Sequence, residues 1–146
     1  MRPSKTDYYL ELAKVTSKRS PCLRKQYGAV LVKNDQVLAT GYNGPVRGEP
    51  HCTKCTKVSC DKDMLEYSSC PACHAEMNCI ISASRDEMLG ATLYLAGYIT
   101  STGEENLNVE PCEICLRLIK NAGIDRVVTN NGVLYIRDSN GILRKA

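Results

Sequence analysis

The sequence contains no phenylalanine and no tryptophan, so eight tyrosines are its whole aromatic content. A buried core must therefore be built from Leu, Ile, Val, Ala and Tyr. The stacking platforms by which proteins hold single-stranded nucleic acid are also in short supply. Charge of one sign is scarce as well. Nineteen basic residues against sixteen acidic ones leave a net charge of +3. That is too mild for a nucleic-acid groove, though it suits a phosphorylated small molecule. No hydrophobic run approaches the length that spans a bilayer, so no membrane partner is expected. The opening residues, MRPSKTDYY, carry no apolar segment. No secretory signal is expected from them, and a reducing, cytoplasmic setting follows. There is no internal repeat and no low-complexity tract. What is present, 146 residues with 43% apolar and 24% charged, reads as one globular domain over residues 1–146.

Cysteine is the residue in excess, with nine in the chain. The number is odd and no export signal accompanies it, so a disulfide framework is disfavoured. Metal ligation becomes the leading use of the thiols.

The pattern along the chain alternates helix and strand. Tyr8, Leu12 and Val15 recur at helical spacing between Thr6, a candidate N-cap, and the break at Ser20-Pro21. The apolar run 27–32, the turn pair Asn34-Asp35 and the run 37–40 predict a β-hairpin. Its strands are nearly all apolar, which predicts cover on both faces. Residues 41–69 are irregular and hold three cysteines, with Cys70 directly after them, and a loop of this length is usually functional or clamped. A helix is expected from about His74, with Met77, Ile80, Ile81 and Ala83 inward. A strand follows at 92–98 and a polar, turn-rich stretch at 100–110. Pro111 then opens a helix that runs to Ala122, with Gly123 as its stop. Strands at 126–129 and 133–136 close the chain, with Asn130-Asn131-Gly132 turning between them. This is an α/β layer architecture with a mixed sheet.

Two fragments carry chemistry: His74-Ala75-Glu76 and Pro111-Cys112-Glu113-Ile114-Cys115. Together they fit the H-x-E and P-C-x-x-C signature in which one His and two Cys hold zinc and the Glu does not. Cys112 and Cys115 stand three apart, so on a helix both thiols point the same way. In a first turn the helix dipole favours the thiolate. His74 and Glu76 stand two apart, and at the very start of a helix both can project past its end. Three ligands leave a tetrahedral ion one open position, the catalytic arrangement. Water there is acidified towards a pKa of about 7, supplying hydroxide at neutral pH. Glu76 beside it can serve as the proton shuttle. Taken singly, these are a core histidine, a surface carboxylate and two buried thiols. Their joint occurrence at two helix starts favours the metal. The string Cys70-Pro-Ala-Cys73-His74 also spells a haem-attachment motif. That reading needs export and leaves Glu76, Cys112 and Cys115 unused.

The chain resembles the zinc-dependent cytidine/deoxycytidylate deaminases, and within them the deoxycytidylate (dCMP) branch. The resemblance runs through Cys22-Leu-Arg, Gly28-Ala-Val, Thr40-Gly-Tyr-Asn-Gly44, His51-Cys52, His74-Ala-Glu-Met-Asn78, Gly90-Ala-Thr-Leu-Tyr94, the Pro111 motif and Asn121-Ala-Gly-Ile124, in that order. It implies a three-layer α/β/α cytidine-deaminase-like fold with a central mixed sheet of about five strands. It implies hydrolysis of dCMP to dUMP and ammonia, which supplies dUMP for thymidylate synthesis. It further implies a homo-oligomer, a hexamer or a dimer, and control by dCTP and dTTP. By the same resemblance Asn43 would contact the sugar hydroxyl, Ala75 would present its amide to the pyrimidine carbonyl, and Asn78 would lie near the nucleotide. Phosphate would be met between Ser17 and Arg24 or at Arg47. The chain departs from the family in residues 97–110, which intervene before the metal motif.

Some members of the branch carry a second, structural zinc. Cys22, Cys52 and Cys70 match such positions, with Cys60 as the fourth ligand and Cys55 as its substitute. Spacing alone offers a rival set, Cys52-x-x-Cys55 with Cys70-x-x-Cys73. Cys79, on a helix, reads as simple packing. Two other readings stay open. One is a sister zinc deaminase acting on dCTP, cytidine, guanine or tRNA adenosine. The other is a non-catalytic, zinc-stapled binding module.

Overall fold

A computed structural model describes residues 1–55 and 70–146 of the chain. Cys60 lies outside the described residues. The architecture is α/β: a six-stranded mixed sheet in the order β2-β1-β5-β6-β7-β8, with helices on both faces. The strands are β1 (Lys25–Lys33), β2 (Gln36–Tyr42), β5 (Thr92–Ile99), β6 (Arg126–Thr129), β7 (Gly132–Arg137) and β8 (Leu143–Lys145). Only β5 and β6 run parallel; the other neighbours are antiparallel. Two short strands, β3 (Gly44–Pro45) and β4 (Ala72–Cys73), form a separate clasp.

The layers follow from side-chain alternation. On β1 and β5, Ala29, Leu31, Leu93 and Leu95 point to one face, and Val30, Val32, Tyr94 and Ala96 to the other. The first face is covered by α2 (Ala75–Ile81) and α4 (Glu113–Ala122), the second by α1 (Lys5–Ser17). Leu31, Leu93, Ile119 and Val127 are fully buried. Each such side chain contributes roughly 2 kcal/mol by leaving water. A single turn of helix, α3 (Arg85–Met88), links α2 to β5.

The β1–β2 hairpin forms as its turn pair predicts. Asn34 and Asp35 both take positive φ, 53° and 61°, the type I′ geometry that matches strand twist. Gly123 ends α4 at φ 84°, in the left-handed region where a Cβ is costly.

Five expectations change. Helix α1 is capped by Ser4, not Thr6, and its inward face is Tyr9, Leu10, Ala13 and Ser17. Tyr8 and Val15 are 49% and 65% exposed. The reason is close approach: a Cβ on Gly28 would stand 2.6 Å from the Ser17 nitrogen, so small residues rather than large apolar ones line the contact. Strand β2 is a sheet edge with Gln36, Val37 and Thr40 outward, not a strand covered on both faces. The sheet has six strands where about five were expected, because β8 buries only Leu143 and carries no apolar run. On α2 the buried residues are Ala75, Glu76 and Cys79, while Ile81 is 70% exposed. Ile80 and Ala83 do pack against the core as expected, at partial burial. Lastly, α4 begins at Glu113 with Cys112 as its N-cap, so Pro111 precedes the cap instead of opening the helix.

Among the described residues no helix is long and apolar enough to cross a membrane, and none of the eight described cysteines is in a disulfide.

Candidate active site

Both chemical fragments sit at helix starts on the same face of the sheet. The β3–β4 clasp pairs Gly44 with Cys73 and so fixes the chain immediately before His74. His74 is the N-cap of α2, and its N–H is received by the Met77 sulfur at 3.4 Å. Helix α2 lies against β2 with almost no gap. A Cβ on Gly41 would stand 2.5 Å from the Cys79 nitrogen, and closer still to the Ala75 carbonyl oxygen. From the other side, α2 packs on α4. Cys112 caps α4 by receiving the Cys115 N–H on its sulfur at 3.4 Å.

The three expected ligands converge. His74 Nδ1 lies 3.5 Å from Cys112 Sγ and 3.3 Å from Cys115 Sγ. All three donor atoms fall within 4.8 Å of one another. Among the described residues this is the one group of three or more His, Cys, Asp or Glu side chains so gathered. One imidazole and two sulfurs are a zinc donor set, and three protein ligands leave a tetrahedral ion one position open. Burial, with Glu76 and Cys112 beside it, pushes the Cys115 thiol up. A thiolate at that place needs a cation, which is what the donor set is shaped to hold.

Glu76 is 8% exposed and faces the Cys115 thiol. Burial raises its carboxyl above the usual range, so it holds a proton more readily than a surface glutamate. A carboxyl of raised pKa next to a metal position can take a proton from water and give it up again.

His74, Glu76 and Cys112 open into one pocket, lined also by Tyr27, Asn43, Leu95, Ala96, Val109 and the 21–25 segment, with Cys115 buried behind them. Asn43 is in that lining, but its amide is engaged. Its Oδ1 accepts the Tyr27 N–H at 2.8 Å and its Nδ2 donates to the Lys25 carbonyl at 2.9 Å. Ala75 is fully buried behind His74 and Glu76. Asn78 is outside the lining and donates to the Tyr42 carbonyl at 2.8 Å. Of the cations considered for phosphate, Arg24 lines the pocket and Arg47 does not, and Lys25 joins it unforeseen. Ser17 is turned into the core, donating to the Lys14 carbonyl.

Cys22, Cys52, Cys55 and Cys70 all line this same pocket. Among the described residues no three of them are gathered as the His74 set is. The rival partner Cys73 is paired into the clasp instead, outside the lining. Cys79 is buried packing as expected, its thiol pushed up to about 12 by burial.

Tyr27, Leu95, Ala96 and Val109 were not foreseen as lining. Tyr27 directly precedes Gly28-Ala-Val and Val109 belongs to the 97–110 insertion. Adjacency to a matched segment for Tyr27, and the departure at 97–110 for Val109, were the available signals.

With fold and site described, the class is clear. The family model for the cytidine and deoxycytidylate deaminase zinc-binding region matches residues 3–131, and the chain belongs to that family of zinc-dependent hydrolases. It is 37% identical over 133 residues to the deoxycytidylate deaminase of Mycobacterium phage D29, covering 87% of this chain and 94% of the relative. It is 33% identical to the deoxycytidylate deaminase of Saccharomyces cerevisiae, where the match takes in all of this chain but 44% of the relative. Among solved structures it resembles the dCMP deaminase of cyanophage S-TIM5, with 26% identity. The TM-score is 0.64, with 88% of this chain and 84% of that one covered. The same enzyme solved in complex with dCMP and dUMP aligns at a TM-score of 0.63.

Proposed function

We propose that the protein deaminates dCMP, consuming water and releasing dUMP and ammonia. The observation that carries this reading is the convergence of His74, Cys112 and Cys115 beside the buried Glu76, at the wall of a pocket into which His74, Cys112 and Glu76 open. The relatives named above supply the substrate. Zinc held by His74 Nδ1 and the two sulfurs would supply Lewis-acid activation of water at its open position. Glu76 takes a proton from the attacking water on a carboxylate oxygen and passes it to the ring nitrogen. After the water oxygen has bonded to the amine-bearing carbon, Glu76 takes the remaining proton from that oxygen and delivers it to the amine, which leaves as ammonia when the C–N bond breaks. Its burial keeps bulk water from competing for those protons. Leu95 and Val109 give the base an apolar wall. Arg24 and Lys25 in the lining support a phosphate on the ligand. The four thiols in the lining support a structural zinc on Cys22, Cys52 and Cys70, with Cys60 or Cys55 as fourth ligand. A homo-oligomer, control by dCTP and dTTP, and a cytoplasmic location belong to the same reading.

The test is a substrate panel. Purified protein is incubated with dCMP, CMP, dCTP, cytidine, guanine and tRNA adenosine, and ammonia is followed. Release from dCMP above the others supports the proposal. Preferential release from another member makes the protein a sister deaminase. No release from any, with zinc intact, leaves a binding module.

A further inference from the structure

Tyr27 enters the pocket from β1, and the reaction as set out above does not use it. Its ring is clamped by the neighbouring strand. A Cβ on Gly97 would come within 2.8 Å of the ring Cδ1, so only glycine lets β5 lie along it. Its hydroxyl meets Asn106 Nδ2 at 3.5 Å. Asn106 belongs to the 97–110 insertion and is 6% exposed.

The direction of that hydrogen bond is fixed. Asn106 Oδ1 accepts the Asn108 N–H at 3.0 Å, which turns the NH2 towards Tyr27. An amide NH2 only donates. The phenol oxygen is therefore the acceptor, and its own proton is left for another partner. Burial, and the Glu76 carboxylate next after it, raise the phenol above its ordinary pKa, so it stays protonated at neutral pH.

The insertion is built to hold this arrangement. It folds back on β5 through the Ile99 N–H to Glu104 carbonyl bond at 2.9 Å and the Asn106 N–H to Gly97 carbonyl bond at 2.8 Å. Thr100 Oγ1 donates to the Cys22 carbonyl at 3.0 Å. Lys14 pairs with Glu105 at 3.2 Å and Lys145 with Glu110 at 2.8 Å. Asn131 Nδ2 donates to the Leu107 carbonyl at 2.8 Å.

We propose that Tyr27 is a specificity-determining residue that donates its phenolic proton to an acceptor on the bound base, and that Asn106 of the insertion is the positioning residue that turns the proton inward. The base is the part of the ligand concerned because the Tyr27 phenol lies close enough to Glu76, the group that works on the base, to feel its charge. This inference rests on the nucleotide-deaminase reading above.

The test compares wild type, Tyr27→Phe, Asn106→Asp and the double variant, with KM and kcat for dCMP, zinc content and melting temperature. Tyr27→Phe raises KM about three- to tenfold, the loss of one neutral hydrogen bond, with kcat little changed. Asn106→Asp does the same, because a carboxylate accepts the phenolic proton and takes it out of the pocket. The double variant is no worse than either single one. An unmoved KM in Tyr27→Phe, or effects of the two changes that add, overturns the inference. Tyr27→Phe removes a single oxygen and keeps the test decisive should Asn106→Asp fail to fold. Failure of the underlying reading looks different: wild type is then silent with dCMP, whereas failure of this inference leaves wild-type turnover intact.

Discussion

Replacing Gly41 by alanine tests whether the seating of α2 on β2 sets the catalytic geometry. The new Cβ would stand 2.5 Å from the Cys79 nitrogen, and ordinary contact begins at 3.4 Å, so helix and strand must part by about 0.9 Å. Both partners are backbone, so no side chain can swing away. Overpacking of this kind costs about 1–3 kcal/mol, or roughly 3–9 °C in melting temperature for a domain of this size. The catalytic loss is the larger effect. Helix α2 carries Glu76 and is capped by His74, and a displacement near 1 Å costs on the order of a hundredfold in rate. Gly28→Ala is the matched control. Its Cβ would stand 2.6 Å from the Ser17 nitrogen and closer still to the Ala13 carbonyl oxygen, a tighter clash than at Gly41, on the α1 face away from the metal ligands. Thermal melting and kcat for dCMP are measured on both. The expected outcome is destabilisation at least as large in Gly28→Ala, with the hundredfold rate loss in Gly41→Ala alone. Full activity in Gly41→Ala, or an equal loss in Gly28→Ala, refutes the reasoning.

Three further outcomes are expected. Glu76→Gln retains zinc by elemental analysis but loses roughly 10²- to 10⁴-fold in turnover; near-native turnover removes the proton-shuttle role. Wild type carries two zinc ions per chain, and a clean value of one removes the thiol site while leaving the His74 site. Tyr9 donates its hydroxyl proton to Asp35, and chiefly for that reason its pKa is raised from 10.0 to about 12. The folded chain keeps a proton there that the unfolded chain loses, so this stabilisation is present below pH 10 and lost between about pH 10 and 12. Urea midpoints at pH 9 and pH 11.5 should therefore differ less in Tyr9→Phe than in wild type.

How much of this was legible depends on what a residue type can reveal alone. The ligands His74, Cys112 and Cys115 could be read because few chemistries want that trio at two helix starts. The hairpin could be read because Asn34-Asp35 tolerates positive φ where most residues do not. The inward face of α1 was missed, since apolar periodicity marks large side chains and this contact is made by Ala13 and Ser17 against Gly28. Asn43 illustrates a different gap. The resemblance gives it to the sugar, and the structure adds that one lone pair and one N–H of its amide tie the segment after β2 to β1. Strand β8 was invisible because three residues with one buried leucine carry no pattern. The pocket role of residues 97–110 depends on Asn106 and Val109 meeting partners far along the chain, which no local spacing encodes.

The pairing of β1 carries a kinetic consequence. Its bond to β2 closes through a two-residue turn, but its bond to β5 joins partners as remote as Lys25 and Ile99. The first can form within microseconds, whereas the second must wait for a long loop to close. Until it does, the apolar middle of β1 presents an unpaired edge to solvent. Crowded synthesis at high temperature should therefore yield aggregates, and slower, cooler expression should recover soluble enzyme.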